Sequence, residues 1–71
     1  METTQVNKLM EVAQRIREMR EIAGYTPEEM AVKTDVTVHE YLAYERGEMD
    51  FPFTFIHKCS LAFNVGITDL M

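Results

Sequence analysis

The sequence predicts a compact all-α domain, and three features of its 71 residues support this prediction. From Val6 to Ala23 there is no Gly or Pro, and apolar residues recur every three or four positions, as on one face of a helix. The pattern Thr-x-x-Glu occurs twice, at Thr26–Glu29 and Thr37–Glu40, and it is typical of an N-terminal capping box. The whole chain has only three glycines and two prolines. A chain of this length forms one domain at most and buries only a modest core.

The first helix is expected from Val6 to Ala23, after a frayed tail at residues 1–5. Gly24 is expected to end it. Its buried face is predicted to consist of Leu9, Val12, Ala13, Ile16, Met19 and Ala23.

The two capping boxes predict two short helices with little room for a turn between them. Thr26 caps a helix that runs to about Thr34, and Pro27 fits its first position because no N–H is needed there. Thr37 caps a helix that runs to about Arg46. The side chains expected to point inward are Met30, Ala31, Val36, Tyr41, Tyr44 and part of Leu42. Two short helices across a tight turn form a helix-turn-helix arrangement.

The last third of the chain predicts a fourth helix and a short fifth one. Pro52 fits the first turn of a helix that runs to about Phe63, and Asn64 is a suitable left-handed C-cap. Residues 67–70 would form a fifth helix or a single turn of one. The inward face of the fourth helix is predicted to be Phe53, Ile56, Ser60 and Phe63. Apolar residues that fit no inward face would mark a dimer or interdomain contact if exposed, namely Val32, Val38, Phe51, Phe55 and Leu61.

Charge and composition limit the class of protein. Twelve acidic residues against seven Lys and Arg give a net charge of −5, which disfavours binding to the phosphates of nucleic acids unless a local basic patch compensates. The sequence has neither an apolar run of about 18 residues nor a signal peptide, so we expect a cytoplasmic protein with no membrane contact. Its one cysteine, Cys59, fits a reducing compartment.

No arrangement of side chains predicts catalysis or metal binding. His39, His57 and Cys59 lack the spacing of metal ligands and have no fourth partner. The sequence also has no nucleophile–base arrangement and no Gly-rich phosphate loop. We therefore expect no metal, no cofactor and no enzyme activity.

The segment RIREMREIAGYTPEEMAVKTDVTVHEYLAYERGE, followed by a Pro-led helix and FNVGITDL, resembles the Cro/C1-type (XRE family) helix-turn-helix domain of prokaryotic regulators. The resemblance extends from about Val6 to Leu70. It implies a five-helix lambda-repressor-like fold, with the third helix in the major groove of double-stranded operator DNA and with homodimers on palindromic sites. It also implies that residues 6–71 are the N-terminal part of a longer regulator with a C-terminal sensing domain. A family ion pair would join Arg20 to Glu45.

The resemblance also assigns a DNA-binding surface, although several of its residues depart from the family pattern. Pro27 stands where the family often has Gln, and Ala43 stands where Gln or Arg is common. The assigned positions are Arg15, Thr26, Pro27, Lys33, Thr37, Val38, His39, Glu40, Ala43 and Arg46. These departures and the acidic charge leave a second hypothesis open, a protein-interaction or regulatory module that keeps the fold and binds DNA weakly or not at all.

Overall fold

The computed structural model describes the backbone of residues 4–71 and the side chains from Lys8 onward. This part of the chain contains four α-helices, one turn of 3-10 helix and no β-strand. The α-helices are α1 Thr4–Ala23, α2 Pro27–Thr34, α3 Val38–Glu45 and α4 Phe53–Phe63, and the 3-10 turn is Ile67–Asp69. Because α1 begins at Thr4, two residues of the expected tail belong to the helix. Residues 1–3 lie outside the described part.

The all-α prediction is confirmed, whereas the prediction of five helices is wrong. The fifth segment is a single 3-10 turn, in which the Leu70 N–H donates to the Ile67 carbonyl at 2.9 Å. Single turns take this tighter form because an α-helix recovers the cost of its first turn only by growing longer. The turn still fills the core, since Leu70 is fully buried.

The core lies between the four helices, where α1 and α2 each contact both α3 and α4. Helix α2 packs on α3 and α4, and α1 lies across the same two helices. The buried apolar residues are Val12, Ala13, Ile16, Met30, Ala31, Tyr41, Tyr44, Phe55, Ile56, Cys59 and Leu70. Most of the inward residues predicted for α1, α2 and α3 are in this set.

Helix α4 differs from the prediction in which of its aromatic residues it buries. Phe55 is 2% exposed and Phe53 is 65% exposed, whereas the sequence pattern predicted Phe53 as the inward residue. The Phe55 ring lies 4.3 Å from the Tyr44 ring and 5.7 Å from the Phe51 ring, between centroids. This aromatic cluster sets the orientation of α4, so the buried face consists of Phe55, Ile56, Cys59 and Ser60.

Residues with left-handed backbone conformations end the helices. Asn64 has φ 59° at the end of α4, as predicted, and Asp35 has φ 62° at the end of α2. After α3, Gly47 has φ 72°, and a Cβ at this position would lie 3.4 Å from Cγ of Met10. Gly47 therefore both ends α3 and lets α1 pass close to the chain that follows it.

Candidate nucleic-acid interface

Both capping boxes form as the sequence predicts, and they fix the start of α2 and of α3. At α3, the Thr37 hydroxyl accepts the Glu40 N–H at 3.0 Å and the Glu40 carboxylate accepts the Thr37 N–H at 3.1 Å. At α2, Thr26 and Glu29 make the same two bonds at 3.1 and 2.8 Å. The carboxylates of Glu29 and Glu40 are therefore engaged with the backbone of their own helices.

A partly buried ion pair holds α3 against α1. Nε of Arg20 donates to Glu45 Oε2 at 2.6 Å and its Nη2 donates to Oε1 at 3.3 Å. The Tyr41 hydroxyl also donates to Glu45 Oε2, at 2.6 Å, and Arg20 donates to the carbonyl of Tyr25 at 3.0 Å. The hydrogen bond that Arg20 donates to Glu45 raises the pKa of Arg20. Structure and resemblance agree here, since the structure brings together the two residues that the resemblance pairs.

The face of α3 opposite the core is exposed and has a distinct chemistry. With Tyr41 and Tyr44 buried on one side, the exposed His39 and Arg46 lie on the other. These two are seven positions apart, which places them on nearly one line along the helix. Leu42 and Ala43 flank that line and are half-buried. We call these four residues, His39, Leu42, Ala43 and Arg46, the outer face of α3.

Val38 and Leu42 are both half-buried, but they differ in their contacts with the core. Val38 is half-buried and packs against the core, so it is less available to a partner than its position in the sequence indicated. Leu42 does not belong to the side chains that pack against the core in the described part of the chain. The sequence predicts that Leu42 points partly inward. The positions of Tyr41 and Tyr44 in the sequence already indicate how Leu42 is oriented. Tyr41 and Tyr44 share one face of α3, and Leu42, one position after Tyr41, points away from that face.

The assigned cations have different surroundings. Arg46 donates to Glu48 at 2.9 and 3.3 Å, and this bond lowers the pKa of Glu48. The Lys33 ammonium lies 4.6 Å from the centroid of the Tyr25 ring, a cation–π contact at the side of α2. Arg15 points away from α3, and its guanidinium donates to the Met71 carbonyl at 2.9 Å.

Arg17, which the assigned set omitted, lies beside the end of α3. A cleft of about 420 Å³ is lined by Met10, Ala13, Gln14 and Arg17 of α1 and by Glu45, Arg46 and Glu48. Arg15 and Arg17 are two positions apart on a helix, so they face different sides. Ala13 and Arg17 are four positions apart, so they lie on the same side of α1, and Ala13 lies near Gly47. Which side of α1 faces Gly47 depends on how the helices pack, so the sequence alone does not select Arg17.

The remaining assigned positions lie at the two helix starts. Pro27 is half-buried in the first turn of α2, and the hydroxyls of Thr26 and Thr37 are occupied by their caps.

In residues 4–71, no group of three or more His, Cys, Asp and Glu side chains is placed to hold a metal ion. His57 stacks on Phe53, with 6.3 Å between the ring centroids. Within the same range, every helix is too short or too polar to cross a membrane.

Comparisons with known proteins give a family and similar solved structures. A family model described as a helix-turn-helix domain matches residues 13–71. The fold is similar to the crystal structure of the restriction-modification controller protein C.AhdI from Aeromonas hydrophila, with a TM-score of 0.84 and 25% identity. That alignment covers 89% of this chain and 96% of the other. No curated protein shows significant similarity to the chain.

Proposed function

The chain belongs to the helix-turn-helix domain family, and on this premise we propose that it is a sequence-specific DNA-binding transcriptional regulator that places α3 in the major groove. The observation that carries the proposal is the outer face of α3. Its two ends, His39 and Arg46, are exposed, and its centre is half-buried. Tyr41, Tyr44 and Glu45 anchor the opposite side to the rest of the domain. A rigid helix with one free face is what the roughly 12 Å wide major groove admits.

The similar crystal structure supports a regulatory role. It is that of a controller protein of a restriction-modification system, and nearly the whole of that chain is covered. We therefore propose that this chain also acts as a controller of gene expression in the cytoplasm. Two copies would bind half-sites one helical turn apart, about 34–36 Å.

Phosphate contacts in this proposal come from few cations. Arg17 and Arg46 lie at the cleft beside the end of α3. Lys33 lies in the last turn of α2, and its ammonium contacts the Tyr25 ring. Three such contacts make a small electrostatic contribution compared with that of strongly basic DNA-binding domains. Specific contacts from α3 must therefore supply a large share of the affinity.

A salt series with a fluorescently labelled duplex tests the proposal. The slope of log K against log salt is about −0.9 for each phosphate neutralised, so we expect a slope of about −3 for one domain. Arg17→Gln should weaken binding to all sequences and reduce the slope by about 1. Arg15→Gln is the matched control, because Arg15 lies on the far side of α1 and should leave the slope unchanged. Absence of binding even at about 20 mM salt would contradict the proposal.

The acidic surroundings of α3 favour a second candidate function, a protein-interaction module that does not bind DNA. Glu28 and Glu29 lie in the first turn of α2, and Glu48 and Asp50 follow α3, where DNA-binding members would need positive charge. This candidate predicts no binding in the same salt series. The two functions are thus distinguished by one experiment.

A further inference from the structure

The outer face of α3 has an apolar centre between two polar ends, and we propose that this centre recognises the C5-methyl groups of pyrimidines. Leu42 and Ala43 are the recognising residues, and the bound half-site has thymines opposite the middle of α3. The inference rests on the DNA-binding function proposed above. It goes beyond that function because it specifies which chemical group of the DNA is recognised and by which residues.

The order of the side chains along α3 sets the order of the contacts. An α-helix rises about 1.5 Å per residue, so the line from His39 to Arg46 is about 10.5 Å long. Base pairs are stacked about 3.4 Å apart, so the outer face spans about three steps of the duplex. Leu42 and Ala43 flank the middle of this line, between an imidazole and a guanidinium. Their partner is therefore the base pair at the centre of the contacted group or its direct neighbour.

The chemistry of these two side chains selects a methyl group. Neither Leu42 nor Ala43 carries a hydrogen-bonding group beyond the backbone, and the only apolar group on the major-groove edge of the four bases is the thymine methyl. The edges of guanine, adenine and cytosine would lose water against Leu42 without gaining a hydrogen bond, which is unfavourable. 5-Methylcytosine carries the same methyl group at C5, so it should satisfy this contact as thymine does.

The exposed part of Leu42 is available for this contact. Leu42 is half-buried, yet it is outside the set of side chains that pack against the core in the described residues. Val38 is apolar too, but its packing against the core leaves less of it for a partner. The inference therefore rests on Leu42 and Ala43 and not on every apolar residue of α3.

The experiment starts from duplexes that the intact protein selects out of a random-sequence pool. In a selected duplex, each thymine is replaced in turn by uracil, which removes only the C5-methyl. At one or two adjacent positions we expect about a fourfold loss of affinity for each methyl, equivalent to about 0.8 kcal/mol. Replacing uracil by thymine at these positions should restore the affinity. Replacing a cytosine at the same base-pair step by 5-methylcytosine should raise the affinity.

Two variants assign the effect to the outer face. With Leu42→Ala, thymine and uracil duplexes should bind nearly alike, because the contacting side chain is gone. Val32→Ala is the matched control, since Val32 is an apolar residue on α2 with 82% exposure, and it should keep the preference for thymine. If Leu42→Ala does not fold, the uracil and 5-methylcytosine series on the unchanged protein still decides.

The outcomes separate the inference from the function on which it rests. Equal affinity for thymine and uracil duplexes at every position overturns methyl recognition and leaves DNA binding intact. An unchanged preference in a folded Leu42→Ala variant overturns the assignment to Leu42. If the pool yields no bound duplex, the DNA-binding function itself is overturned, and methyl recognition with it.

Discussion

Glu45 is the side chain on which most of the polar structure around α3 depends. It accepts two hydrogen bonds from Arg20 and one from the Tyr41 hydroxyl, and its side chain is 7% exposed. Arg20 is also largely covered, with 13% of its side chain exposed. Burying such a pair costs solvation on both sides, so its net contribution is smaller than the cost of removing one partner.

Glu45→Ala should therefore destabilise the fold strongly. It leaves the Arg20 guanidinium and the Tyr41 hydroxyl without their partner in a partly buried place, at a cost of about 3 kcal/mol. Urea or thermal unfolding measures this, and a domain of this size should lose at least about 10 °C in Tm. Glu48→Ala is the control, because the Arg46–Glu48 pair is more than half exposed and should contribute little. An unchanged Tm in Glu45→Ala would contradict the role of the pair.

Glu48 is expected to limit DNA affinity through Arg46. Its carboxylate accepts two hydrogen bonds from Arg46 at the end of the outer face, at 2.9 and 3.3 Å. Glu48→Gln removes this competitor for a phosphate, so we expect tighter binding to any duplex and a slope against salt that is steeper by up to about 1. Glu11→Gln makes the same charge change on the side of α1 near Arg15, and it should have a much smaller effect. Equal gains in the two variants would show a general charge effect instead.

At the scale of the helices, local hydrogen bonding makes the boundaries predictable. Thr26 and Thr37 each meet a Glu three residues on, and both boxes form because all their partners lie within one turn. Gly47 and Asn64 end α3 and α4 for an equally local reason, the need for a left-handed residue. These local signals are sufficient to place α2 and α3 without any tertiary contact.

The orientation of α4 was not predictable in the same way, because it depends on distant residues. Phe53 and Phe55 are both aromatic and only two positions apart, so helical spacing alone does not decide between them. The decision comes from the rings of Tyr44 and Phe51, which bind Phe55 into one cluster. The sequence also leaves open whether Arg15 or Arg17 lies beside α3, because this depends on how α1 is rotated against α3.

A pair of alanine substitutions checks the orientation of α4. Phe55→Ala removes a ring that is 2% exposed and should cost about 3–5 kcal/mol, measured by denaturant unfolding. Phe53→Ala removes the same ring from a site that is 65% exposed and should change stability by less than about 0.5 kcal/mol. A larger loss of stability in Phe53→Ala than in Phe55→Ala would mean that Phe53 is the inward residue, as the sequence pattern predicted.

At the scale of the whole molecule, fold and surface charge indicate different partners. The family and the arrangement of α2 and α3 are those of DNA-binding proteins, whereas the net charge of −5 opposes approach to a polyanion. The structure reduces this conflict, because Glu29 and Glu40 are engaged in caps and Glu45 in an internal ion pair. Part of the acidic composition thus serves the fold. The remaining charge should make association slow and sensitive to salt.

The core of the whole domain should also make it sensitive to alkaline pH. Burial, with the charge of Glu45 as a smaller cause, raises the pKa of Cys59 from 9.0 to about 12. Burial and the hydrogen bond to Glu45 raise the pKa of Tyr41 well above its ordinary value. The unfolded chain therefore releases these protons at lower pH than the folded one, so stability is complete below about pH 8.5 and falls as the pH rises.

Urea unfolding at pH 8, 9, 10 and 11 tests this sensitivity. The free energy of unfolding should fall by about 1.4 kcal/mol per pH unit once Cys59 ionises in the unfolded chain, and more steeply above about pH 10, where Tyr41 joins it. In Cys59→Ala the first decline should disappear, while the decline above about pH 10 remains, so the difference between the two proteins isolates the thiol. This comparison cancels the contribution of every group that the two proteins share. Parallel curves for the two proteins would mean that the Cys59 thiol ionises as readily in the folded core as in the unfolded chain.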